Sequence, residues 1–298
     1  MYISFGEKRR EKMLLSTSIR FVNLGIEIDN MGKEINIFGF RIAYYGIIIA
    51  IGIMAGMFMA FREAKITGQN PEDYMDFAIV AIPSCIIGAR LYYVIFEWDY
   101  YSKHLVEIFN LRRGGLGIYG AVIVGVIMCA VFMKIKRMSF FLLADTACIG
   151  LLTGQIIGRW GNFFNREAFG GYTDNLFAMQ IKLDEVGGVV SDELLANLKV
   201  VDGIEYIQVH PTFLYESLWN LCLLILILIF RKKKKFDGEV FCMYAGGYAV
   251  GRFFIESLRT DQLKVFGVPA SMIVAVIFAV LSLAFVIYKH ISMKKEKI

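Results

Sequence analysis

Long apolar runs constrain this chain more than any other feature of its sequence. They cover residues 41–61, 77–96, 115–133, 140–161, 212–230, 239–258 and 269–288, and each approaches the roughly 20 residues that a helix needs to cross a bilayer. Within lipid, only helices and closed barrels satisfy every backbone hydrogen bond, and these runs lack the polar alternation of barrel strands. The sequence therefore predicts an all-α polytopic membrane protein with seven transmembrane helices.

Composition supports this class and argues against others. Of the 298 residues, 57% are hydrophobic and 20% are charged, whereas soluble domains of this size are more polar. The net charge of +5 comes mostly from lysines and arginines beside the apolar runs, which is typical of topology signals and not of nucleic-acid binding. The five cysteines have no paired or metal-binding spacing. We therefore expect no nucleic-acid partner and no metal site built on these cysteines.

The basic flanks also predict an orientation. Those after the first and third runs, the cluster Arg231–Lys235 and the lysine-rich C-terminus lie on one side, which the positive-inside rule makes cytoplasmic. The N-terminus and a small cap then lie outside. The basic stretch Glu7–Lys12 and the pair Arg112–Arg113 disagree with this orientation, and the stronger cluster at Arg231–Lys235 decides it. The predicted parts are an N-terminal tail with an interfacial segment (1–39), a seven-span transmembrane domain (40–288) containing the extracytoplasmic cap (162–211), and a cytoplasmic basic tail (289–298).

The most unusual stretch is GRWGNFFNREAFG, from Gly158 to Gly170, at the end of the fourth run. Polar and ionisable groups near the bilayer interior are costly, which makes them candidates for function. Just before it, Gly150, Gly154 and Gly158 recur at every fourth position and form one helix face. Such a face lets a second helix approach closely. A packing face that happens to end in polar residues is the alternative interpretation.

On the predicted topology, nearly every polar intramembrane side chain collects at the outer ends of the spans. Arginine stays charged and offers a planar fork to phosphate oxygens, so this cluster predicts a site for an anion at headgroup level. Arg159 and Arg252 are the first candidates for a phosphate clamp, followed by Arg90 and Arg259. For each arginine the alternative is a structural ion pair with Glu167 or Glu256, and Arg252 is spaced to pair with Glu256. The full set is Tyr45, Arg90, Tyr119, Arg159, Asn162, Asn165, Glu167, His210, Glu216, Tyr248, Arg252, Glu256 and Arg259.

These residues lie in blocks that resemble those of a known family. The stretch from Gly158 to Gly170 resembles the signature of the bacterial prolipoprotein diacylglyceryl transferases: Gly-Arg, any residue, Gly-Asn-Phe, an apolar residue, Asn, any residue, Glu, then Gly three positions on. The blocks FRIAYYG around Tyr45, GGLGIYG around Tyr119, HPTFLYES from His210 and GRFFIESLRTD from Gly251 follow in the family's order. The resemblance covers about residues 38–288.

The resemblance implies a reaction at the bacterial cell membrane. The family moves the diacylglyceryl group of phosphatidylglycerol onto the lipobox cysteine thiol of a prolipoprotein signal peptide, forms a thioether and releases glycerol 1-phosphate. This is the first step of lipoprotein maturation. No metal or organic cofactor is implied. By motif match, the family's functional positions correspond to Tyr45, Arg159, Asn162, Glu167, Tyr248, Arg252, Glu256 and Arg259.

One position departs from the family pattern. Many members carry a histidine followed by two glycines where this chain has Tyr119, Gly120 and Ala121. A tyrosine hydroxyl is a poor base at neutral pH. We therefore expect Tyr119 to orient substrate, and the thiol proton to pass to Glu167 or His210. For His210 a purely structural place in the cap is an equal alternative.

Two other functions use the same residues. An anion transporter or channel would place the arginines along a pathway, but the polar groups share one depth and no inverted repeat is detectable. A non-catalytic lipid-binding protein would hold phosphatidylglycerol and release no glycerol phosphate. The first dozen residues extend beyond where family chains usually begin, so Met13 is a candidate for the natural start.

Overall fold

The computed structural model describes residues 17–29, 31–111, 114–265 and 267–295. The cluster Glu7–Lys12, the candidate start Met13 and the pair Arg112–Arg113 lie outside the described residues. The chain divides into two compact units, one formed by residues 57–150 and the other by the residues before 57 and after 150.

The helices follow the apolar runs closely. Each run becomes one long helix, and most boundaries differ from the predicted ones by a few residues. The largest shift is at the end of the last helix, which continues to Lys295 instead of residue 288. The next largest is at the start of the second helix, where Pro71 occupies the first turn and the Asn70 side chain accepts a hydrogen bond from the Glu72 amide at 3.1 Å. The helices are α1 (Tyr44–Ile66), α2 (Pro71–Phe96), α3 (Trp98–Tyr101), α4 (Ile118–Lys136), α5 (Phe140–Asn165), α6 (Asp192–Ala196), α7 (Thr212–Phe230), α8 (Glu239–Leu258) and α9 (Ala270–Lys295).

Six helices of the described chain are long and apolar enough to cross a membrane, namely α1, α2, α4, α5, α7 with its 3-10 extension, and α9. The protein is thus a multi-pass helical membrane protein. The seventh predicted span forms the 20-residue helix α8 but is not among these six. Arg252 and Glu256 in its last turns lower its mean hydropathy.

The all-α prediction missed a β-sheet. Five antiparallel strands in the order β2-β1-β5-β7-β6 form it, and β1 and β2 come from the N-terminal segment for which the sequence suggested no structure. Two further hairpins pair β3 with β4 and β8 with β9. The strands are β1 (Thr17–Phe21), β2 (Ile26–Asp29), β3 (Glu34–Ile37), β4 (Phe40–Ala43), β5 (Met179–Lys182), β6 (Lys199–Val201), β7 (Ile204–Val209), β8 (Lys264–Val265) and β9 (Val268–Pro269).

A row of isoleucines holds the five-stranded sheet to the ends of two helices. Ile19, Ile181 and Ile207 pair directly across β1, β5 and β7 and are fully buried. They share one core with Phe163 of α5 and Phe213 of α7. The sheet is therefore anchored where α5 ends and α7 begins.

Glycine lets helices approach closely in both units. A Cβ added to Gly52 of α1 would lie 3.2 Å from the Gly154 carbonyl oxygen of α5, which confirms the close-packing role predicted for the Gly154 face. In the unit of residues 57–150, a Cβ on Gly120 of α4 would lie 2.3 Å from the Gly88 carbonyl oxygen of α2. Since no side chain fits at that distance, α2 and α4 cross backbone to backbone.

Candidate active site

The signature stretch straddles the end of α5 and folds back on itself. The Arg166 amide donates to the Phe163 carbonyl at 3.1 Å and the Glu167 amide donates to the Asn162 carbonyl at 3.1 Å. Together with φ of +55° at Arg166, these bonds make a Schellman cap. This helix cap turns the chain so that Glu167 Oε1 accepts hydrogen bonds from the side-chain amides of Asn162 and Asn165, each at 3.1 Å. Both asparagines and the glutamate therefore form one hydrogen-bonded group.

The last glycine of the signature joins three helix ends. The Gly170 amide donates to the His210 carbonyl just before α7, and the Gly171 amide donates to the Leu258 carbonyl at the end of α8. A Cβ on Gly170 would lie 2.7 Å from the Leu258 oxygen and 2.8 Å from the His210 Cβ. Only glycine fits between these neighbours, so this position ties the ends of α5, α7 and α8 together.

Glu216 of α7 is the centre of the ionic cluster. Its side chain is 3% exposed, and each of its two oxygens pairs with an arginine from a different helix. Oε1 lies 2.6 Å from Arg159 Nη2 of α5, and Oε2 lies 3.1 Å from Arg252 Nη1 of α8. Tyr248 donates its hydroxyl to Oε1 at 3.1 Å. One buried carboxylate thus fixes Arg159 and Arg252 relative to each other.

The predicted pair between Arg252 and Glu256 is confirmed, since Arg252 Nη2 contacts Glu256 Oε2. Arg159 pairs with neither of the carboxylates named from the sequence; its partner is Glu216, while its Nη1 lies 3.4 Å from the Asn162 side-chain oxygen. In their ionised forms the two arginines and the two glutamates carry balanced charge. The arginine side chains keep 24% and 17% of their surface exposed, and in the described part of the chain neither Nε has a hydrogen-bond partner.

Sequence reasoning noticed Glu216 only as a polar residue near the start of a span. The signal that could have given it a role is its neighbourhood, because a carboxylate four residues into a helix as apolar as α7 needs a cationic partner. Its two partners are far away in sequence and on different helices, so the pairing depends on the fold.

A second polar layer lies one helical turn away from the cluster along α5 and α8. Gln155, four residues before Arg159, donates to the Tyr244 hydroxyl at 3.0 Å. The Tyr244 ring stacks on Tyr248 with centroids 6.0 Å apart. On the α1 side, the Tyr45 ring packs against Gly161, where an added Cβ would lie 2.7 Å from the ring. These contacts place the candidates Tyr45 and Tyr248 beside the signature helix and Glu216.

Two further candidates lie just outside the helices. Arg259 makes a bidentate pair with Asp261 at 2.9 and 2.7 Å; burial alone would raise the pKa of Asp261, but this guanidinium holds it below its ordinary value. His210 Nδ1 lies 3.3 Å from Asn175 Nδ2 and from the Tyr215 hydroxyl, and burial lowers its pKa. These contacts are with cap and helix-start residues, so a catalytic part for His210 stays a prediction.

The remaining candidates, Arg90 and Tyr119, belong to the unit of residues 57–150. Arg90 of α2 is 5% exposed, and all five of its N–H groups donate to backbone carbonyl oxygens at 2.6 to 3.2 Å. Its guanidinium also lies over the Tyr101 ring, 5.1 Å from the centroid. Tyr119 opens α4, is 48% exposed and packs near Tyr92. The carbonyls that bind Arg90 are those of Glu107, Ile108, Asn110, Gly114 and Gly115.

Comparison with known proteins gives consistent matches. A family model described as prolipoprotein diacylglyceryl transferase matches residues 34–288. A phosphatidylglycerol–prolipoprotein diacylglyceryl transferase of Clostridium botulinum is 41% identical over 85% of this chain and 93% of its own length. Proteins of the same name from Bacillus cytotoxicus and Listeria welshimeri are 40% and 42% identical, over 85% and 83% of this chain and 89% and 86% of their own lengths. The matched region includes both the signature stretch and Glu216.

Proposed function

The chain belongs to the prolipoprotein diacylglyceryl transferase family, and we propose that it carries out that reaction through the cluster around Glu216. In this proposal the diacylglyceryl group of phosphatidylglycerol passes to the lipobox cysteine thiol of a prolipoprotein signal peptide. The products are a thioether and glycerol 1-phosphate. The observation that carries the assignment is the pair Arg159 and Arg252, brought from separate helices to the two oxygens of one buried carboxylate.

The arginine pair is suited to hold the lipid phosphate. Each guanidinium uses some of its donors on Glu216, Glu256 or Asn162 and keeps others for a ligand. Glu216 fixes both forks before substrate arrives, so little reorganisation is needed when the phosphate binds. Bidentate contacts from arginine to phosphate are strong and directional. As the phosphate ester leaves, negative charge grows on its oxygen, and the same two side chains stabilise that charge.

The bond changes follow from this placement. The cysteine sulfur attacks the carbon of the diacylglycerol moiety that is bonded to a phosphate oxygen. A C–S bond forms, that C–O bond breaks, and its electron pair stays on the phosphate oxygen of the departing glycerol 1-phosphate. The thiol must lose its proton, since the thiolate is the better nucleophile. We assign that proton to Glu167. Two side-chain amides donate to its Oε1 and orient the carboxylate, while Oε2 has no hydrogen-bond partner among the described residues.

The other candidates have supporting parts in this proposal. Tyr119 orients substrate by a hydrogen bond and takes no proton. Asn162 and Asn165 hold Glu167, and Tyr248 and Glu256 hold the arginine pair. Tyr45, Arg90, His210 and Arg259 are the remaining substrate-binding candidates. Of these, Arg90 would have to release a backbone carbonyl to contact a ligand.

We also propose that α8 is a seventh transmembrane helix in the bacterial cell membrane. Its 20 residues span about 30 Å, the thickness of the hydrocarbon core. Its charged groups Arg252 and Glu256 are paired within the cluster around Glu216, and Glu239 at its first position contacts His290. The basic cluster Arg231–Lys235 then lies in the cytoplasm with the C-terminus. The N-terminus and the cap, residues 162–211, lie outside. The N-terminal segment, the seven-span catalytic domain and the basic tail keep the limits given above, with β1 and β2 packed against the cap strands.

The experiment uses the purified full chain in nanodiscs that contain phosphatidylglycerol and a synthetic lipobox peptide. Diacylglyceryl transfer adds a defined mass to the peptide and releases glycerol phosphate in equal amount. A peptide with serine in place of the cysteine is the control and should gain no mass. Lipid binding without release would favour the non-catalytic alternative. Movement of a labelled anion across proteoliposomes without peptide modification would favour the transporter. Either result would overturn the proposal.

A further inference from the structure

Arg166 is a buried charge that the proposed chemistry does not use. It fills a position that the family signature leaves open, between Asn165 and Glu167. Its side chain is 2% exposed, and Nη2 lies 3.0 Å from Glu185 Oε2 in the cap. Nη2 also donates to the Met31 carbonyl, next to β2, and Nη1 donates to the Phe164 carbonyl at 3.3 Å. A charge so deeply buried is costly unless its partners are well placed.

The backbone conformation at this position also makes an arginine unusual there. The residue occupies the left-handed position of the Schellman cap at the end of α5, with φ of +55°. Glycine is the usual residue there because an L side chain strains the backbone. Ala168, two residues on, also has positive φ, at +56°. Glu167 therefore lies between two strained residues, and its position depends on whatever holds this turn.

Several contacts from the cap hold the turn. The Gly187 amide donates to the Arg166 carbonyl at 2.9 Å, and a Cβ on Gly187 would lie 2.2 Å from the Asn165 carbonyl oxygen. Glu185, the ion-pair partner, also accepts from Ser18 of β1 at 3.4 Å, and its other contact is Lys182 of β5 at 3.8 Å. The Arg166 side chain thus joins the signature turn to residues of both the N-terminal strands and the cap.

We propose that Arg166 is a positioning residue, which acts through Glu185 and Met31 to hold Glu167 against Asn162 and Asn165. The inference rests on the proposed function of Glu167, and it adds that Glu185 and Met31, next to the five-stranded sheet, support the turn that carries Glu167. Glu185 and Met31 hold the Arg166 side chain, and the turn that contains Arg166 sets the direction of the Glu167 carboxylate. Loss of the Arg166 side chain leaves the signature sequence intact but lets Glu167 move.

The test compares Arg166→Gly with Arg166→Ala. Glycine removes the side chain and relieves the backbone, so it separates positioning from capping. We expect both variants to lower kcat for diacylglyceryl transfer by about tenfold to hundredfold, as misplacement of a reacting group does, with KM for phosphatidylglycerol changed less than about twofold. Glu185→Gln should lower kcat in the same direction, and adding it to Arg166→Gly should cost little more, because both changes break one contact. Arg20→Gln is the matched control. It breaks an ion pair with Glu27 on the same sheet, away from the signature turn, and should keep wild-type kcat.

A second measurement does not depend on turnover. Hydrogen–deuterium exchange of the segment 163–170 should be faster in Arg166→Gly than in wild type and unchanged in Arg20→Gln. Full activity of Arg166→Gly, or a loss no greater than the loss of folded protein, would overturn the inference. So would unchanged exchange in 163–170. A wild-type chain without transferase activity would refute the proposed function, and the exchange experiment would still decide whether Arg166 holds the turn.

Discussion

Two arginine sites in this protein differ in what surrounds the guanidinium. Around Arg90, in the unit of residues 57–150, every N–H group is used by a backbone carbonyl and the side chain is 5% exposed. Around Glu216, in the other unit, Arg159 and Arg252 share a carboxylate and keep part of their surface open. The first arginine is saturated by the backbone of its own unit. Arg159 and Arg252 are oriented by a carboxylate side chain, but not all of their N–H donors are used.

Under the proposed function, this difference predicts that Arg90 has mainly a structural role and that Arg159 and Arg252 bind substrate. An arginine bound by five carbonyls can accept a ligand only by releasing the backbone, which leaves buried acceptors unpaired. An arginine that uses only some of its N–H donors on a carboxylate can bind phosphate with the others. Intramembrane location and residue type are the same in both cases, so the count and kind of partners must decide the role.

The largest effect should come from the arginine pair. We expect Arg252→Ala and Arg159→Ala each to lower kcat by about 10²–10³-fold, because each removes a donor that stabilises the leaving phosphate. Lysine at either position keeps the charge but loses the planar fork, and should recover only part of the activity. Peptide mass gain and glycerol phosphate release measure the effect. Near-normal turnover in both alanine variants would contradict the difference in role drawn between these two arginines and Arg90.

Glu216→Gln should have the next largest effect, and it should change kcat and KM differently. Loss of the negative charge frees Arg159 and Arg252 from their ion pairs, so anionic lipid should bind at least as well and KM should not rise. The two forks are then less well oriented, and kcat should fall about tenfold to hundredfold. Steady-state kinetics over a range of phosphatidylglycerol content resolves the two constants. A rise in KM with unchanged kcat would mean that Glu216 itself contacts the lipid.

Arg90→Ala should lower stability more than chemistry. Five carbonyl oxygens lose their donor, and each one that stays buried without a partner costs about 1–3 kcal/mol. The apparent midpoint of thermal unfolding should therefore fall, while kcat per folded molecule stays within about threefold of wild type. Arg90→Lys is the companion variant, since it keeps the charge but has fewer donors. A well-folded Arg90→Ala protein without turnover would place Arg90 with the other two arginines.

The smallest effect should be a pH dependence at His210. Burial lowers its pKa in the folded state, so the neutral form is favoured by folding. Its contribution to stability is present above the unfolded value of about 6.5 and is lost as pH falls through the lower folded value. His210→Asn should flatten the decline of the unfolding midpoint between about pH 7 and 5. If the same variant abolished transfer at pH 7.5, His210 would instead be the acceptor of the thiol proton.

The sequence predicted the helices well because each is encoded locally. The run 239–258 became α8 with the same limits, and the spacing of Arg252 and Glu256 gave their pair directly. Partners that are distant in the chain could not be found this way. Glu216 stands in an apolar helix and has no cationic residue near it in the sequence. The groups that accept hydrogen bonds from Arg90 are backbone carbonyls, which have no sequence signal.

The sheet was missed for a related reason. Its strands are three to six residues long, and β1 lies in a segment whose hydrophobic pattern is too short to separate from an interfacial stretch. Its partner is β5, far along the chain. Ile19 is recognisable as a core residue only once Ile181 and Ile207 are beside it.

The strand order β2-β1-β5-β7-β6 bears on how the molecule is made. Ser18 and Glu185, which meet across this sheet, are 167 residues apart, and α1 to α5 are synthesised between them. At translation rates of about 5–20 residues per second, the first two strands wait roughly ten seconds or more with their edges unpaired. Insertion of those helices therefore precedes closure of the sheet, and with it the ion pair between Arg166 and Glu185. A newly made chain acquires the turn that carries Arg166 and Glu167 only after most of its membrane-embedded portion has been synthesised.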